Sequence, residues 1–406
     1  MKKGINNNKG AIDIAPLLNK KRMEQHFSSA ISFQKKGMTA DAVREWKNAL
    51  TIDKNDLSAN LHLAQAYLDS GDLKKARTHF EFVLKHRPFD YEILLYIGIT
   101  YFDAGEHNRA LKYFEKVLSV KPDDRETLIL LSEAYGNIGM TAESADIADR
   151  ALKLYPKDPD VLIRKSMTLE LYGDFHGAIS VLRESLLYNP FHGQTHSVLG
   201  TLYLEHEWLD FAINSFKKAV HYLIEPSDTK VKLAAAYFCR GDDSEAVEIL
   251  LAVLNKKPDC VSASLLLINN YIVEEKLDIA ESMLFDLIEK EGLKTSHTYA
   301  MLGIIYYKRG DLAGDKRKFK KAATYFRKAL RYDPESVALK INLARAILYS
   351  GSPESALSNV EAFIKAHPAH PQLYFLLGDI YQSIGLDKYA QDSRKLAEYL
   401  GSSDTE

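Results

Sequence analysis

The sequence has few of the features that mark disulfide-rich, membrane-spanning or strongly charged proteins. Its 406 residues include two cysteines, Cys239 and Cys260, so a disulfide framework is excluded and a reducing compartment fits. No stretch reaches the roughly 18 apolar residues of a membrane span, and the basic N-terminus lacks the apolar core of a secretory signal. The net charge of −2 gives no general reason to bind nucleic acid or anionic membranes. We therefore expect a cytoplasmic protein.

Signatures of catalysis and of cofactor binding are also missing. Neither common glycine-rich phosphate loop occurs, and no helix carries a His-Glu-x-x-His motif. The close pairs His192/His196 and His367/His370 lack cysteine or carboxylate ligands at zinc-site spacing. Cys239 has no sequence-adjacent base that would activate it. The sequence therefore predicts a non-catalytic protein with no metal, no cofactor and no small-molecule substrate.

What the sequence does contain is one 34-residue pattern that recurs along the chain. The pattern is clearest over residues 57–124, where the glycine at Gly71 and the alanine at Ala76 recur 34 residues later as Gly105 and Ala110. A fixed period of this length is typical of helical repeat arrays. The repeats cover residues 23–404, and residues 1–22, which include six basic residues, are predicted to form a disordered tail. Extending the register predicts about eleven units, which start near residues 23, 57, 91, 125, 159, 193, 227, 261, 296, 337 and 371.

Each unit contains two helical periodicities separated by a turn. Position 15 is glycine in nine units, where the first helix should end, and position 32 is proline in seven, where the second helix should stop. Position 20 never holds a large side chain, so two helix backbones can approach closely there, and rings such as Phe80 stand at position 24. An all-α array of helix–turn–helix pairs follows. The residues at position 20 are Ala42, Ala76, Ala110, Ser144, Ala178, Ala212, Ala246, Ala280, Ala322, Ala356 and Ala390.

Small residues at positions 8 and 20, combined with tyrosine at position 11, resemble the tetratricopeptide repeat family. The resemblance covers about nine-tenths of the chain. It implies a right-handed α-solenoid, or superhelix, in which the first helices line a concave groove and the second helices form the outer wall. It also implies a scaffold or adaptor that binds another protein.

Departures from the pattern in units eight and nine carry structural predictions. Unit eight has Ile268 in place of a small residue and Glu275 in place of the turn glycine, so we expect looser packing there. Unit nine, residues 296–336, carries seven extra residues between Gly310 and Ala322. Seven residues are nearly two helical turns, which predicts an elongated second helix with Leu312, Phe319 and Phe326 on one face.

The groove positions of units two to five are mostly apolar or acidic, with Arg164 as the single base. Low-dielectric walls around charges of one sign focus the local field, so we interpret this face as a groove for a basic, partly apolar peptide or helix of another protein. The alternative is that the apolar residues pack against neighbouring units and the carboxylates only favour helix N-termini. The predicted binding residues are Gln65, Asp69, Glu92, Tyr96, Ile99, Phe102, Asp103, Glu126, Glu133, Arg164 and Met167, and Leu95, Asp160, Ile163 and Glu170 share their positions.

A second candidate surface is the basic cluster of unit nine. It suggests a contact with nucleic acid or anionic lipid, but no aromatic residues interleave on the basic face, so a solvated outer wall is the favoured alternative. A regulatory or targeting subunit of an enzyme complex is a further alternative function, because it would look the same in sequence. The basic stretch spans residues 308–331 and holds ten lysines and arginines. We use the name basic cluster for its central patch, which consists of Lys316, Arg317, Lys318, Lys320 and Lys321.

Overall fold

A computed structural model of the protein describes residues 15–402, and within that range all regular secondary structure is α-helical. The described residues form twenty-two helices, which follow one another with short connections. The chain divides into two compact units. The first extends to Glu207 and includes His221–Ile224; the second comprises Trp208–Val220 and the residues from Glu225 onward. The predicted all-α class is confirmed, whereas the right-handed twist and the count of eleven repeats stay predictions.

The first unit is a series of antiparallel helix pairs, and consecutive helices from α1 to α11 pack against each other. Its first helices are α1 (Ala15–Lys35), α3 (Leu57–Asp69), α5 (Tyr91–Asp103), α7 (Arg125–Asn137), α9 (Pro159–Leu171) and α11 (Gly193–Glu205). Its second helices are α2 (Thr39–Ile52), α4 (Leu73–His86), α6 (His107–Val120), α8 (Thr141–Leu154) and α10 (Phe175–Tyr188).

The second unit repeats the same arrangement. It contains most of α12 (Leu209–Tyr222). Its first helices are α13 (Ser227–Arg240), α15 (Val261–Val273), α17 (Ser296–Ala313), α19 (Val337–Tyr349) and α21 (Pro371–Ser383). Its second helices are α14 (Asp243–Lys256), α16 (Leu277–Glu289), α18 (Lys316–Leu330), α20 (Pro353–Ala366) and α22 (Asp387–Ser402).

The prediction of a disordered tail over residues 1–22 does not hold for its last eight residues. The helix α1 begins at Ala15, so residues 15–22 are helical and the prediction of disorder is wrong for them. Leucine, lysine and arginine in this stretch are good helix formers, and they continue directly into the apolar positions of the first unit. The rest of the predicted tail, residues 1–14, lies outside the described residues.

Aspartates at the last position of a repeat begin several first helices. The Asp56 carboxylate accepts a hydrogen bond from the Ala59 amide at 2.7 Å, and the Asp124 carboxylate accepts one from the Thr127 amide at 3.1 Å. Asp158 caps α9 in the same way. Each cap satisfies backbone donors that the first turn of a helix leaves unpaired.

The core of each pair is formed where small residues meet large rings. All eleven residues at position 20 are buried, ten of them completely, and the rings of Trp46, Phe80 and Phe114 are completely buried beside them. At Gly98 in α5 the approach is so close that a Cβ atom would lie 2.5 Å from Cε1 of Phe114. The small-residue columns therefore mark the helix–helix contacts, as the sequence predicts. In unit eight, Ile268 is completely buried despite its size.

Glycine ends most first helices in the left-handed backbone conformation, which carries no steric penalty for this residue. Gly310 is the exception among the nine turn glycines. It remains helical inside α17, against the ring of Phe319, and Gly314, with φ of +60°, ends the helix instead.

The seven extra residues of unit nine consequently lengthen the first helix. The helix α17 has 18 residues, whereas its counterpart α19 has 13 and the second helix α18 has 15. The prediction of an elongated second helix is wrong because Gly310 does not break the helix. Leu312 therefore lies on α17, where it is 62% exposed, and does not share a face with Phe319 and Phe326.

Candidate functional site

The predicted groove residues lie on four consecutive first helices of the first unit, α3, α5, α7 and α9. First helices of neighbouring repeats also contact each other directly: α7 contacts α9, and α9 contacts α11. Side chains from several repeats can thus contribute to one continuous surface. We call it the first-helix face and define it by the eleven predicted binding residues.

The apolar members of the first-helix face are held by the core beneath them. The Tyr96 ring stacks on Phe80 with centroids 5.2 Å apart, and the Phe102 ring packs against His107 and Phe114 at 5.1 and 6.3 Å. Tyr96, Ile99, Phe102 and Met167 are half-buried, so one side of each remains accessible. Leu95 and Ile163, which occupy groove positions, are buried and belong to the core.

Four carboxylates of the first-helix face stay exposed. Asp69, Asp103 and Glu126 form no ion pair or side-chain hydrogen bond within residues 15–402. Glu92 accepts only a long hydrogen bond, 3.4 Å, from the hydroxyl of Tyr91. Partial burial raises the pKa of Asp103 above its ordinary value. These groups are available to a cationic partner.

Other polar residues at the groove positions already have partners within the described chain. The Arg164 guanidinium, whose side chain is 11% exposed, forms an ion pair with Glu133 of the preceding repeat. Arg125 likewise binds Asp160 together with the capping Asp158. Gln65 is hydrogen-bonded to His62 at 3.1 Å. Of the acidic residues at the groove positions, Glu133 and Asp160 are therefore not available to a partner, whereas Asp69, Glu92, Asp103 and Glu126 have no ion pair within the described residues.

A pair of carboxyl groups continues the face beyond unit five. Burial, and then a hydrogen bond with the Glu205 carboxyl and its charge, raise the pKa of Glu170 to about 7. Glu205 lies on α11 at the repeat position of Asp69 and Asp103, so the sequence period would have identified it if the groove had been extended by one unit. Since this pKa is close to neutral pH, small changes in pH change the charge of Glu170.

The basic cluster lies on α18 in the second unit, on the side opposite the buried rings of Phe319 and Phe326. Lys316, Arg317 and Lys320 are exposed, and Lys318 is half-exposed. Arg317 forms an ion pair with Asp315 at the helix start. The Lys321 ammonium donates to the Tyr306 hydroxyl and lies 4.0 Å from the centre of that ring. Two of the five cations thus have internal partners.

The part of the chain that the structure describes shows no group of three or more potential metal-ligating side chains. None of the twenty-two helices described is both long and apolar enough to cross a membrane.

The fold and the first-helix face define the class of protein. It is an array of helical hairpins, with small residues where two helices cross and with exposed carboxylates on the first helices that have no ion pair within the described chain. Comparison with known families gives the same result. The tetratricopeptide repeat family matches residues 61–123, 307–348 and 341–385, and a second sequence model of this family matches residues 101–165. The chain is a tetratricopeptide repeat protein. This fold supports a protein-interaction scaffold in general.

Known proteins resemble parts of this chain or its fold. Regulatory protein RapD of Bacillus subtilis (strain 168) is 29% identical over 133 residues, which are 30% of this chain and 37% of RapD. Protein O-mannosyl-transferase Tmtc3 of Drosophila melanogaster is 27% identical over 108 residues, 27% of this chain and 11% of Tmtc3. The chain thus spans only a minor part of either relative. The structure of a human IFIT1 dimer with m7Gppp-AAAA has a similar fold, with a TM-score of 0.52 and 18% identity over 96% of this chain and 95% of that chain.

Proposed function

We propose that the protein is a non-catalytic scaffold whose first-helix face binds a basic, partly apolar peptide or amphipathic helix of another protein. The observation that carries the proposal is the combination of half-buried rings with carboxylates that have no partner of their own. Tyr96 and Phe102 offer apolar contact area, and Asp69, Asp103 and Glu126 add negative charge on the first helices of the same face.

The rings and the carboxylates of this surface contribute to binding in different ways. Rings fixed against the core lose little conformational freedom when a partner binds, so burial of their exposed sides contributes to affinity. Exposed carboxylates contribute mainly to the association rate and to selectivity for cations, and salt weakens that contribution. A ligand with lysines on one side and leucines on the other satisfies both requirements.

The experiment uses two synthetic amphipathic peptides that differ only in having lysine or glutamate at the polar positions. We expect fluorescence anisotropy to show binding of the lysine peptide, with a dissociation constant that rises with salt, and no binding of the glutamate peptide. The double variant Tyr96→Ala/Phe102→Ala should weaken binding by about tenfold or more, since it removes two anchors.

The matched control is Phe89→Ala, which removes a ring that is 80% exposed in the connection between α4 and α5, outside the face. It should leave binding of the lysine peptide unchanged, and circular dichroism should show that both variants keep their helicity. Equal binding of the two peptides, or unchanged binding by the double variant, would refute the proposal.

A regulatory or targeting subunit of an enzyme complex is the second candidate, and the name of RapD as a regulatory protein is what favours it. Such a subunit would use the same face, but its binding would change the activity of a partner enzyme. Assaying an identified partner with and without this protein separates the two candidates.

A further inference from the structure

One cavity in the second unit is lined by residues from two segments that depart from the repeat pattern. The cavity has a volume of about 420 Å³, within the range of roughly 300–1,000 Å³ that is usual for ligand pockets. One irregular contributor is Glu275, which replaces the turn glycine of unit eight. The other is the extension of α17, which supplies Asp311 and Leu312.

Glu275 adopts a backbone conformation that disfavours it. Its φ is +60°, in the left-handed region, where a side chain costs roughly 1–2 kcal/mol relative to glycine. Most of the other repeats have glycine at this position with positive φ. Glu207 has the same φ, so the strain by itself does not mark a site. At Glu275 it coincides with a second observation, because this side chain lines the cavity.

The extension of α17 builds the opposing wall. Most first helices have 13 residues, and α17 continues for five more, or about 7.5 Å at 1.5 Å per residue. Asp311 and Leu312 lie within these five residues. Without the helical conformation of Gly310, the chain would turn away before reaching them.

The charged residues of the cavity are of both signs and have no partner within the described chain. Glu275 and Asp311 are anionic, Lys308 and Arg345 are cationic, and none of the four forms an ion pair or a side-chain hydrogen bond among residues 15–402. The adjacent Arg309 contrasts with them, because its guanidinium binds both Asp278 and Glu281. The side chains around the cavity are thus free to meet a ligand.

The wall between these charges is apolar and aromatic. Ile304, Leu312 and the ring of Phe326 contribute to it, and Tyr307 packs edge-on against Phe319 with centroids 5.2 Å apart. Burial, followed by the influence of Tyr349, raises the pKa of Tyr307 to about 12. Its hydroxyl therefore remains protonated at neutral pH and can donate a hydrogen bond.

We infer that this cavity, which we call the unit-nine pocket, binds a partner-protein segment in which an apolar side chain is flanked by one acidic and one basic residue. A polyanion would meet repulsion from Glu275 and Asp311, and a uniformly basic segment would meet repulsion from Lys308 and Arg345. A mixed segment pairs with both. The inference concerns a second recognition site, with a ligand class different from that of the first-helix face.

The test uses fluorescein-labelled short peptides with a central Leu-Phe pair. The flanking residues are lysine on one side and glutamate on the other (in both orders), lysine on both sides, glutamate on both sides, or serine on both sides. We expect one mixed order to bind the full chain about tenfold more tightly than the uniformly charged and serine peptides, since two charge-assisted contacts separate them.

Variants then locate the binding. Arg345→Glu should shift the preference from the mixed peptide to the lysine peptide, because the rim becomes mainly anionic. Glu275→Gly should weaken binding of the mixed peptide and raise the midpoint of thermal unfolding, because it removes the charge together with the strain. This opposite response of binding and stability would not arise from misfolding.

Glu207→Gly is the matched control. Glu207 also has φ of +60° at the turn position of its repeat, but it does not line the unit-nine pocket. Its substitution should raise the unfolding midpoint and leave peptide binding unchanged.

The inference is overturned if the mixed peptides bind no better than the serine peptide, or if Arg345→Glu and Glu275→Gly leave their binding intact. Tyr96→Ala/Phe102→Ala distinguishes the two sites. Binding that is lost in that variant, but not in Arg345→Glu, belongs to the first-helix face and counts against the unit-nine pocket.

Discussion

Replacing Gly98 by alanine tests the packing that joins the two helices of a repeat. Gly98 lies in α5, and an added Cβ would stand 2.5 Å from Cε1 and 2.7 Å from Cδ1 of the Phe114 ring. Phe114 is completely buried, as is Ala110 one turn before it on α6, so the ring cannot move into solvent. The helix pair must separate or the ring must leave its rotamer.

Two opposing contributions determine how much Gly98→Ala changes the free energy of unfolding. Alanine is a better helix former than glycine by about 1 kcal/mol, which by itself would stabilise α5. An extra methyl group forced into a filled core destabilises by about 1–3 kcal/mol. We therefore expect Gly98→Ala to lower the free energy of unfolding by about 1 kcal/mol.

The assay combines urea unfolding followed by circular dichroism with hydrogen exchange of the amides in α5 and α6. Local exchange is needed because a repeat array can open one segment at a time. Gly136→Ala in α7 is the control: its Cβ would lie 3.2 Å from the end of the Leu171 side chain, which is 49% exposed and can move. It should stabilise by about 0.5–1 kcal/mol.

Combining Gly98→Ala with Phe114→Leu tests whether the contact with the Phe114 ring causes the destabilisation. With Phe114→Leu the ring is absent, so Gly98→Ala should become neutral or stabilising in that background. The account of the small-residue columns fails if Gly98→Ala stabilises the wild type as much as Gly136→Ala does, or if the Phe114→Leu background makes no difference.

Two further predictions concern charge. Because the pKa of Glu170 is raised from its ordinary 4.5 to about 7 beside Glu205, its contribution to stability is fully present below about pH 4.5 and is lost as the pH rises through 7. The thermal midpoint should therefore fall more between about pH 5 and 8 in the wild type than in Glu170→Gln, and equal pH dependence would contradict the shift. The second prediction concerns the basic cluster, which we expect to be a solvated surface. The triple change Lys316→Glu/Lys318→Glu/Lys320→Glu should therefore not alter the binding of single-stranded RNA, measured by filter binding at about 0.15 M salt. A large loss of RNA binding in this variant would instead identify a nucleic-acid site.

The sequence predicts the paired-helix architecture because its determinants are local and periodic. Alanine at position 20 can tolerate a close helix crossing wherever it recurs, and a glycine at position 15 ends a helix by its own backbone preference. At Gly310 this reasoning fails, since glycine is also tolerated inside a helix. The neighbouring Phe319 ring leaves little room for any larger residue.

The binding surface is less predictable, because the period identifies which residues face outward but not which of them are already engaged. Asp160 and Asp69 are both acidic residues at groove positions, yet Asp160 binds Arg125 and Asp69 has no ion pair in the described chain. Such pairs join side chains more than 30 residues apart, and they depend on rotamers and on the spacing of neighbouring helices.

The sequence by itself determined the helix pairs, their caps and their small-residue contacts, because each depends on the intrinsic preference of a residue at a repeated position. Only the tertiary structure decided which charges remain free on the first-helix face. Only the tertiary structure also brought Glu275 and Asp311, two irregularities 36 residues apart in the sequence, to the same cavity. Burial and ion pairing depend on distances between repeats, and a single repeat does not encode those distances.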